Sequence, residues 1–257
     1  MKTGGVWLGC LALAAGAAAL RADDFLSNGV KIHYEIAGQG EPVILIHGLA
    51  SSARINWDMP GVTARLAKNF QVIALDNRGH GQSDKPEGED QYGLEMVEDV
   101  IRLMDHLHIQ KARLVGYSLG GMIAMKLLTL HPDRVKSVVL GGMGWLKAGG
   151  GVQRFWENLP SHRRAIVPPA CVHGMAKLGV TEEQVKAMRV PVTILAGDHD
   201  PCQRLYIEPL LQIRPDWPEH IIQNAGHLNC VVKKEFKDEL EKALRQPADG
   251  PPPPAKE

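Results

Sequence analysis

An α/β architecture, a mostly parallel sheet of about eight strands with helices on both faces and a short inserted lid, is predicted by three features of the chain. Its strand-like segments are short, unbroken apolar runs, where a half-exposed strand would alternate. Helix-like segments separate most of them. At Gly116-Tyr117-Ser118-Leu119-Gly120 an apolar strand-like run turns sharply into a helix-like one.

Taken in order, the chain starts with one charge, Lys2, before an alanine-rich apolar stretch from Val6 to Leu20. Small residues (Ala17-Ala18-Ala19, Ala22) follow or close it, so residues 1–22 read as a secretory signal peptide, and the mature protein as exported to the periplasm or beyond. An uncleaved membrane anchor is the alternative, but the apolar stretch falls short of the roughly 20 residues that cross a bilayer, and no membrane span is expected in the mature chain. The folded domain is assigned to residues 23–245. Val30, Ile32, Tyr34 and Ile36 alternate with Lys31, His33 and Glu35, the period of a half-buried strand. Buried strands follow at Val43 to Ile46, Val72 to Leu75, Leu114 to Val115, Val138 to Leu140 and Val192 to Ala196, with a last one at His220 to Gln223. Helices are expected over Val62 to Lys68, Leu94 to Leu107, Met122 to Leu130 and Glu235 to Arg245.

Between the strands ending near Leu140 and starting at Val192 the rhythm breaks. Residues 142–189 are too many for an ordinary loop and read as a small lid over one end of the sheet, with a plain surface excursion as the alternative. Trp145, Phe155 and Trp156 lie there, Thr181 to Gln184 has the form of a helix capping box, and His162-Arg163-Arg164 reads either as a contact for a substrate anion or as a solvated basic turn. Residues 246–257, with Pro251 to Pro254, suit neither ladder nor helix and are expected to be disordered.

Bulk properties narrow the function. Lysine plus arginine equals aspartate plus glutamate, 29 each, so no electrostatic argument favours nucleic acid or an acidic lipid surface as partner. The glycine clusters lack the spacing of a dinucleotide-binding turn, and the histidines are not spaced as metal ligands, so no cofactor or metal is expected. Loss of the leader leaves Cys171, Cys202 and Cys230; Cys202 and Cys230 fall just after two candidate site loops and would either bridge or remain buried thiols.

The chemistry centres on Ser118. A serine at a sharp strand-to-helix turn keeps its hydroxyl exposed beside helix N-terminal amides, and the flanking Gly116 and Gly120 suit a turn where backbones crowd. Acyl transfer by serine needs a base and a carboxylate behind it. His227, in Asn224-Ala225-Gly226-His227 after the last strand, is the best-placed base; His106, His108, His131 and His162 read as surface or hydrogen-bonded residues. The acid comes from Gly197-Asp198-His199-Asp200. Chemistry alone leaves both aspartates open, Asp200 being further out and better able to reach the histidine loop, Asp198 better placed to cap the turn. His47-Gly48-Leu49 follows an earlier strand, so the Leu49 amide, with that of Leu119, is the candidate oxyanion hole.

His47-Gly48, Asp76-Asn77-Arg78-Gly79-His80-Gly81-Gln82-Ser83-Asp84, Gly116 to Gly120, Gly197 to Asp200 and Gly226-His227 together resemble the α/β-hydrolase superfamily, in its branch of single-domain esterases, lactonases and cofactor-free haloperoxidases. The resemblance spans about residues 28–245. It implies the α/β-hydrolase fold and a Ser118–His227–Asp200 triad, with the acid three residues after the glycine, and it implies structural work for Asp76, Arg78 and His80. Serine at the nucleophile position sets the chain apart from the haloalkane dehalogenases and epoxide hydrolases of this fold, which use aspartate. The expected function is an exported serine hydrolase acting on a carboxylic ester or related small-molecule acyl substrate. A lactonase, thioesterase, carbon–carbon hydrolase, or a haloperoxidase or perhydrolase would use the same triad; a non-catalytic ligand-binding homologue would keep its residues without turnover.

Overall fold

The computed structural model describes residues 20–159 and 167–247. Its eight strands are β1 (Arg21–Ser27), β2 (Val30–Ala37), β3 (Glu41–Ile46), β4 (Phe70–Leu75), β5 (Ala112–Tyr117), β6 (Val135–Gly141), β7 (Val192–Gly197) and β8 (Glu219–Ile222). They form one sheet in the order β1-β2-β4-β3-β5-β6-β7-β8. β2 runs antiparallel to β1 and β4, and every other pairing is parallel.

Successive residues of each central strand enter different cores, which is why these strands read as unbroken apolar runs. Ile44 and Ile46 of β3, with Leu114, Leu140 and Ile194, pack beneath α2 (Leu94–His106) and α3 (Leu119–Leu130) through Val97, Val100, Ile123 and Leu127. Val43 and Leu45, with Val115, Val139 and Leu195, pack on the other face against α1 (Val62–Leu66) and α8 (Lys234–Leu244) through Leu66, Phe236 and Leu240. Residues 142–189 contribute α4 (Gly151–Glu157), α5 (Pro169–Gly174) and α6 (Glu182–Ala187), and α7 (Glu208–Ile213) lies between β7 and β8. The Thr181 capping box forms: its hydroxyl accepts from the Gln184 amide at 3.2 Å, and the Gln184 side-chain carbonyl accepts from the Thr181 amide at 2.9 Å.

β1 extends the sheet beyond the sequence reading. It is an edge strand with Arg21, Asp23 and Asp24 exposed, and charge on an edge hides the apolar pattern that reveals a strand. Arg21 and Ala22 pair with Ile36 and Glu35, so the sheet begins two residues inside the stretch read as leader. The signal that announces this hairpin is Asn28-Gly29, a two-residue turn with both φ angles positive. The rest of the leader (residues 1–19), His162-Arg163-Arg164 and most of the tail (residues 248–257) lie outside the described residues.

A buried ion pair ties this hairpin to the parallel part of the sheet. Arg78, in the turn after β4, donates from Nε and Nη2 to the two oxygens of Asp99 on α2 at 2.7 and 2.6 Å. The side chains are 0% and 1% exposed, and the Ser27 hydroxyl at the end of β1 donates to the same carboxylate at 2.5 Å. Replacing Asp99 leaves the buried Arg78 charge with only the part-exposed Glu95 carboxylate at 3.4 Å, and breaking such a buried pair is worth about 3–5 kcal/mol. Asp99→Ala is therefore expected to lower unfolding free energy by about that amount, read from the urea midpoint; a loss below about 1 kcal/mol would count against this pair as the link between the two parts of the sheet.

Candidate active site

Three separate loops deliver the candidate residues to the C-terminal ends of the parallel strands. Ser118 sits between β5 and α3 with φ 52° and ψ −115°, a conformation L-residues rarely hold unless packing imposes it. The packing is tight. A Cβ on Gly116 would lie 2.3 Å from the Gly120 carbonyl oxygen, and one on Gly120 would lie 2.0 Å from that of Ile46. Only glycine lets helix α3 start this close to β3 and β5.

His227 arrives on the loop after β8. Its Nε2 lies 2.9 Å from Ser118 Oγ, and its Nδ1 lies 2.9 and 3.1 Å from the two oxygens of Asp200. A carboxylate accepts, so the imidazole carries its proton on Nδ1 and leaves Nε2 free to accept from the serine hydroxyl. The Asp200 side chain is 0% exposed, whereas that of His227 is 24% exposed, open to an incoming molecule. The structure thus unites Ser118, His227 and Asp200.

Asp198 has a different job from the strand-end cap expected of it. Its carboxylate accepts the Asn224 and Ala225 amides at 3.0 and 2.9 Å, stitching the β7 loop to the loop that carries His227. Those backbone donors pull its pKa down to about 2. Tyr117 holds the same loop from the other side, its hydroxyl donating to the His227 carbonyl at 2.5 Å. The one sequence signal for Tyr117 is its place beside the nucleophile.

Of the expected oxyanion donors, Leu119 follows Ser118 directly in the chain and Leu49 follows Gly48, which packs against the serine. Leu119 is the first residue of α3, where amides lack an intrahelical acceptor. Gly48 runs against the nucleophile, its Cβ position 3.3 Å from Ser118 Cβ, and its amide donates to Asn56 Oδ1 at 3.0 Å, which fixes the turn that carries Leu49. Asn56 is buried in the wide helical turn after β3, and a polar residue inside an otherwise unpatterned loop gives no sequence signal.

Asp76, Arg78 and His80 sit behind the site. Asp76 accepts the Ala53 and Gln82 amides at 2.7 and 2.8 Å, and the buried His80 ring hydrogen-bonds the Arg78 carbonyl. Burial, reinforced by the neighbouring His47, pushes the His80 pKa down to about 3, and burial likewise lowers that of His47. Both stay neutral, and among the described residues it is His227 that meets the serine. His106 stacks on Phe25 and His131 pairs with Glu98, each serving the scaffold.

All three cysteines among the described residues are free, so the Cys202–Cys230 bridge does not form. Cys202 packs with the α2–α3 core and faces the imidazole, its Sγ 3.6 Å from His227 Nδ1, while Cys230 is buried with Tyr117 and Phe236 in the core on the other face. Burial and the Asp200 carboxylate push the Cys202 thiol pKa up, which keeps it protonated. In the 142–189 segment two aromatic rings serve packing: the indole N–H of Trp145 donates to the Val180 carbonyl, and that of Trp156 to the Tyr206 hydroxyl. Phe155 is 55% exposed. A groove of about 600 Å³, lined by Leu128, Val135, Met188 and Pro191 among others, opens at the start of β6 and β7, the end of the sheet away from Ser118.

Comparison with known proteins agrees with this fold. Residues 41–171, just over half of the chain, match the profile of the alpha/beta hydrolase fold. The chain belongs to the α/β hydrolase family. It is 37% identical over 143 residues to a 2-hydroxymuconate semialdehyde hydrolase of Pseudomonas sp. strain CF600, covering 54% of this chain and 50% of that one. A protein of the same description from Pseudomonas putida is 26% identical over 82% of this chain and 89% of its own. Among solved structures, 2-hydroxy-6-oxo-6-phenylhexa-2,4-dienoate hydrolase from Rhodococcus sp. strain RHA1 superposes with a TM-score of 0.71 at 21% identity, over 90% of this chain and all of that one. The chain spans between a third and a half of the length of the first curated relatives it matches.

Because the folded pKa of Asp198 is depressed, its contribution to stability is present above the ordinary carboxylate value of 3.8 and lost as pH falls through about 2. The stability advantage of the native protein over Asp198→Asn should be constant above about pH 5, shrink as pH falls below it and vanish near about pH 1. Paired urea denaturation curves across that range test this; a difference unchanged at the acid end would show that the carboxylate does not organise the histidine loop.

Proposed function

We propose that this α/β hydrolase is a serine hydrolase that cleaves a carboxylic ester or related activated acyl compound through an acyl-Ser118 intermediate. The observation that carries the reading is the continuous chain of hydrogen bonds from Asp200 through His227 to Ser118. Attack by Ser118 Oγ on the acyl carbon sends its proton to Nε2. Asp200 offsets the charge of the resulting imidazolium and holds the ring in place. The Leu49 and Leu119 amides meet the negative oxygen of the tetrahedral species; losing one such donor typically raises the barrier by about 3–4 kcal/mol. Collapse expels the alcohol, which takes the proton from Nε2, and a water activated by the same nitrogen releases the acid. Nothing in this sequence of steps requires a cofactor.

A carbon–carbon hydrolase is the second reading. It is favoured by the similarity to the Pseudomonas putida 2-hydroxymuconate semialdehyde hydrolase over 82% of this chain. Turnover of a 2-hydroxy-6-oxo-dienoate faster than of any simple ester would select it.

The leader-like N-terminus supports export of the enzyme, with residues 142–189 acting as a lid. Cell fractionation followed by N-terminal sequencing should find a processed chain outside the cytoplasm, and an intact cytoplasmic chain would refute export.

Ser118→Ala is expected to reduce hydrolysis of a short nitrophenyl ester by at least about 10⁴-fold while circular dichroism and urea midpoint stay near those of the native protein. Native-level turnover by the variant, or failure of the native serine to react with a fluorophosphonate, would refute the assignment.

A further inference from the structure

Asp200, Cys202 and His227 each offer one ligand atom, and these atoms lie within 4.8 Å of one another. Carboxylate oxygen, thiol sulfur and imidazole nitrogen are the donor set that zinc and similar thiophilic cations select. The spacing also fits. With about 2.3 Å to sulfur and about 2.1 Å to nitrogen, a tetrahedral zinc separates the two donors by about 3.6 Å; Cys202 Sγ and His227 Nδ1 are 3.6 Å apart. The nitrogen–oxygen edge of the same tetrahedron is about 3.4 Å, against 2.9 and 3.1 Å between Nδ1 and the Asp200 oxygens, so the carboxylate has to withdraw by a few tenths of an ångström. Gly142, at φ 55°, packs its backbone against the trio, and a side chain there would crowd it, since a Cβ would lie 3.0 Å from Asp200 Oδ2 and 3.2 Å from His227 Nδ1.

We propose that Asp200, Cys202 and His227 form a binding site for a thiophilic divalent cation such as zinc, and that occupation of this site switches the hydrolase off. Binding stands on the geometry alone; the switching rests on the serine-hydrolase reading. On binding, the thiol proton leaves to solvent and sulfur donates the freed electron pair. The imidazole proton moves from Nδ1 to Nε2, so that Nδ1 donates its lone pair to the cation while the ring stays neutral. One Asp200 oxygen and a water complete four ligands. An Nε2 that already carries a proton can donate to Ser118 but cannot take its proton, and the carboxylate no longer backs the imidazole. The nucleophile is left unactivated.

Cobalt(II), which reports thiolate ligation through a near-ultraviolet charge-transfer band, tests binding on the full chain without any substrate. The band should appear in the native protein and in Ser118→Ala, and be lost in Cys202→Ser with affinity weakened at least about tenfold, the lower bound for disturbing a metal's surroundings. Zinc should also slow alkylation of Cys202 by iodoacetamide in the native protein, read by peptide mass spectrometry, which needs no variant to fold. If the native protein turns over an ester, zinc should inhibit it, a chelator should restore it, and Cys202→Ser should resist the same zinc concentration. Absence of the band together with unprotected Cys202 overturns the site. Equal zinc inhibition of native protein and Cys202→Ser overturns the switch. Absence of ester turnover with an intact cobalt band sinks the hydrolase reading and leaves the site standing.

Discussion

Everything at the candidate site depends on how closely helix α3 approaches β3. The Ile46 carbonyl sits where a side chain at residue 120 would begin, and Ser118 is held at φ 52° between them. Such a conformation costs on the order of 1–3 kcal/mol and persists only where surrounding structure over-determines it. Here the parallel register of β3, β5 and β6 does so, with the Ser118 amide donating to the Gly141 carbonyl at 2.9 Å and its carbonyl accepting from Gly121 and Met122. The strain is thus maintained by the two cores above and below the sheet, and the hydroxyl is directed toward His227.

Two aspartates, two residues apart, do different work because their partners differ. Asp198 faces backbone amides and secures the loop that brings the histidine; Asp200 faces the imidazole and is wholly sequestered from water. A similar division separates the histidines. Burial keeps His47 and His80 neutral and structural, with the amide of Asn77 donating to His47 Nε2 at 3.0 Å, while His227 is open enough to exchange protons with a bound molecule. Cys202 enters this arrangement from a third direction. Its thiol touches the acid–base contact without belonging to the path from serine to carboxylate, the position from which a competing cation can interrupt that path.

The architecture, the candidate nucleophile and the candidate base are legible in the linear chain. Unbroken apolar strands require cover on both faces, and a serine between two glycines at a strand-to-helix junction is held with its hydroxyl outward. The choice between Asp198 and Asp200 is not legible on chemistry alone, because it depends on which carboxylate faces a loop that follows a different strand. β1 is concealed, since its exposed charges carry no apolar period. A bridge between Cys202 and Cys230 looks plausible along the chain, but placement in neighbouring loops says nothing about which face of the sheet each thiol enters, and they enter different ones. The grouping of Asp200, Cys202 and His227 is equally hidden, since a ligand set drawn from two loops 25 residues apart has no spacing signature. Local pattern settles what a segment becomes; contacts between segments distant in the chain are set by register and side-chain direction, and those exist only once the sheet has assembled.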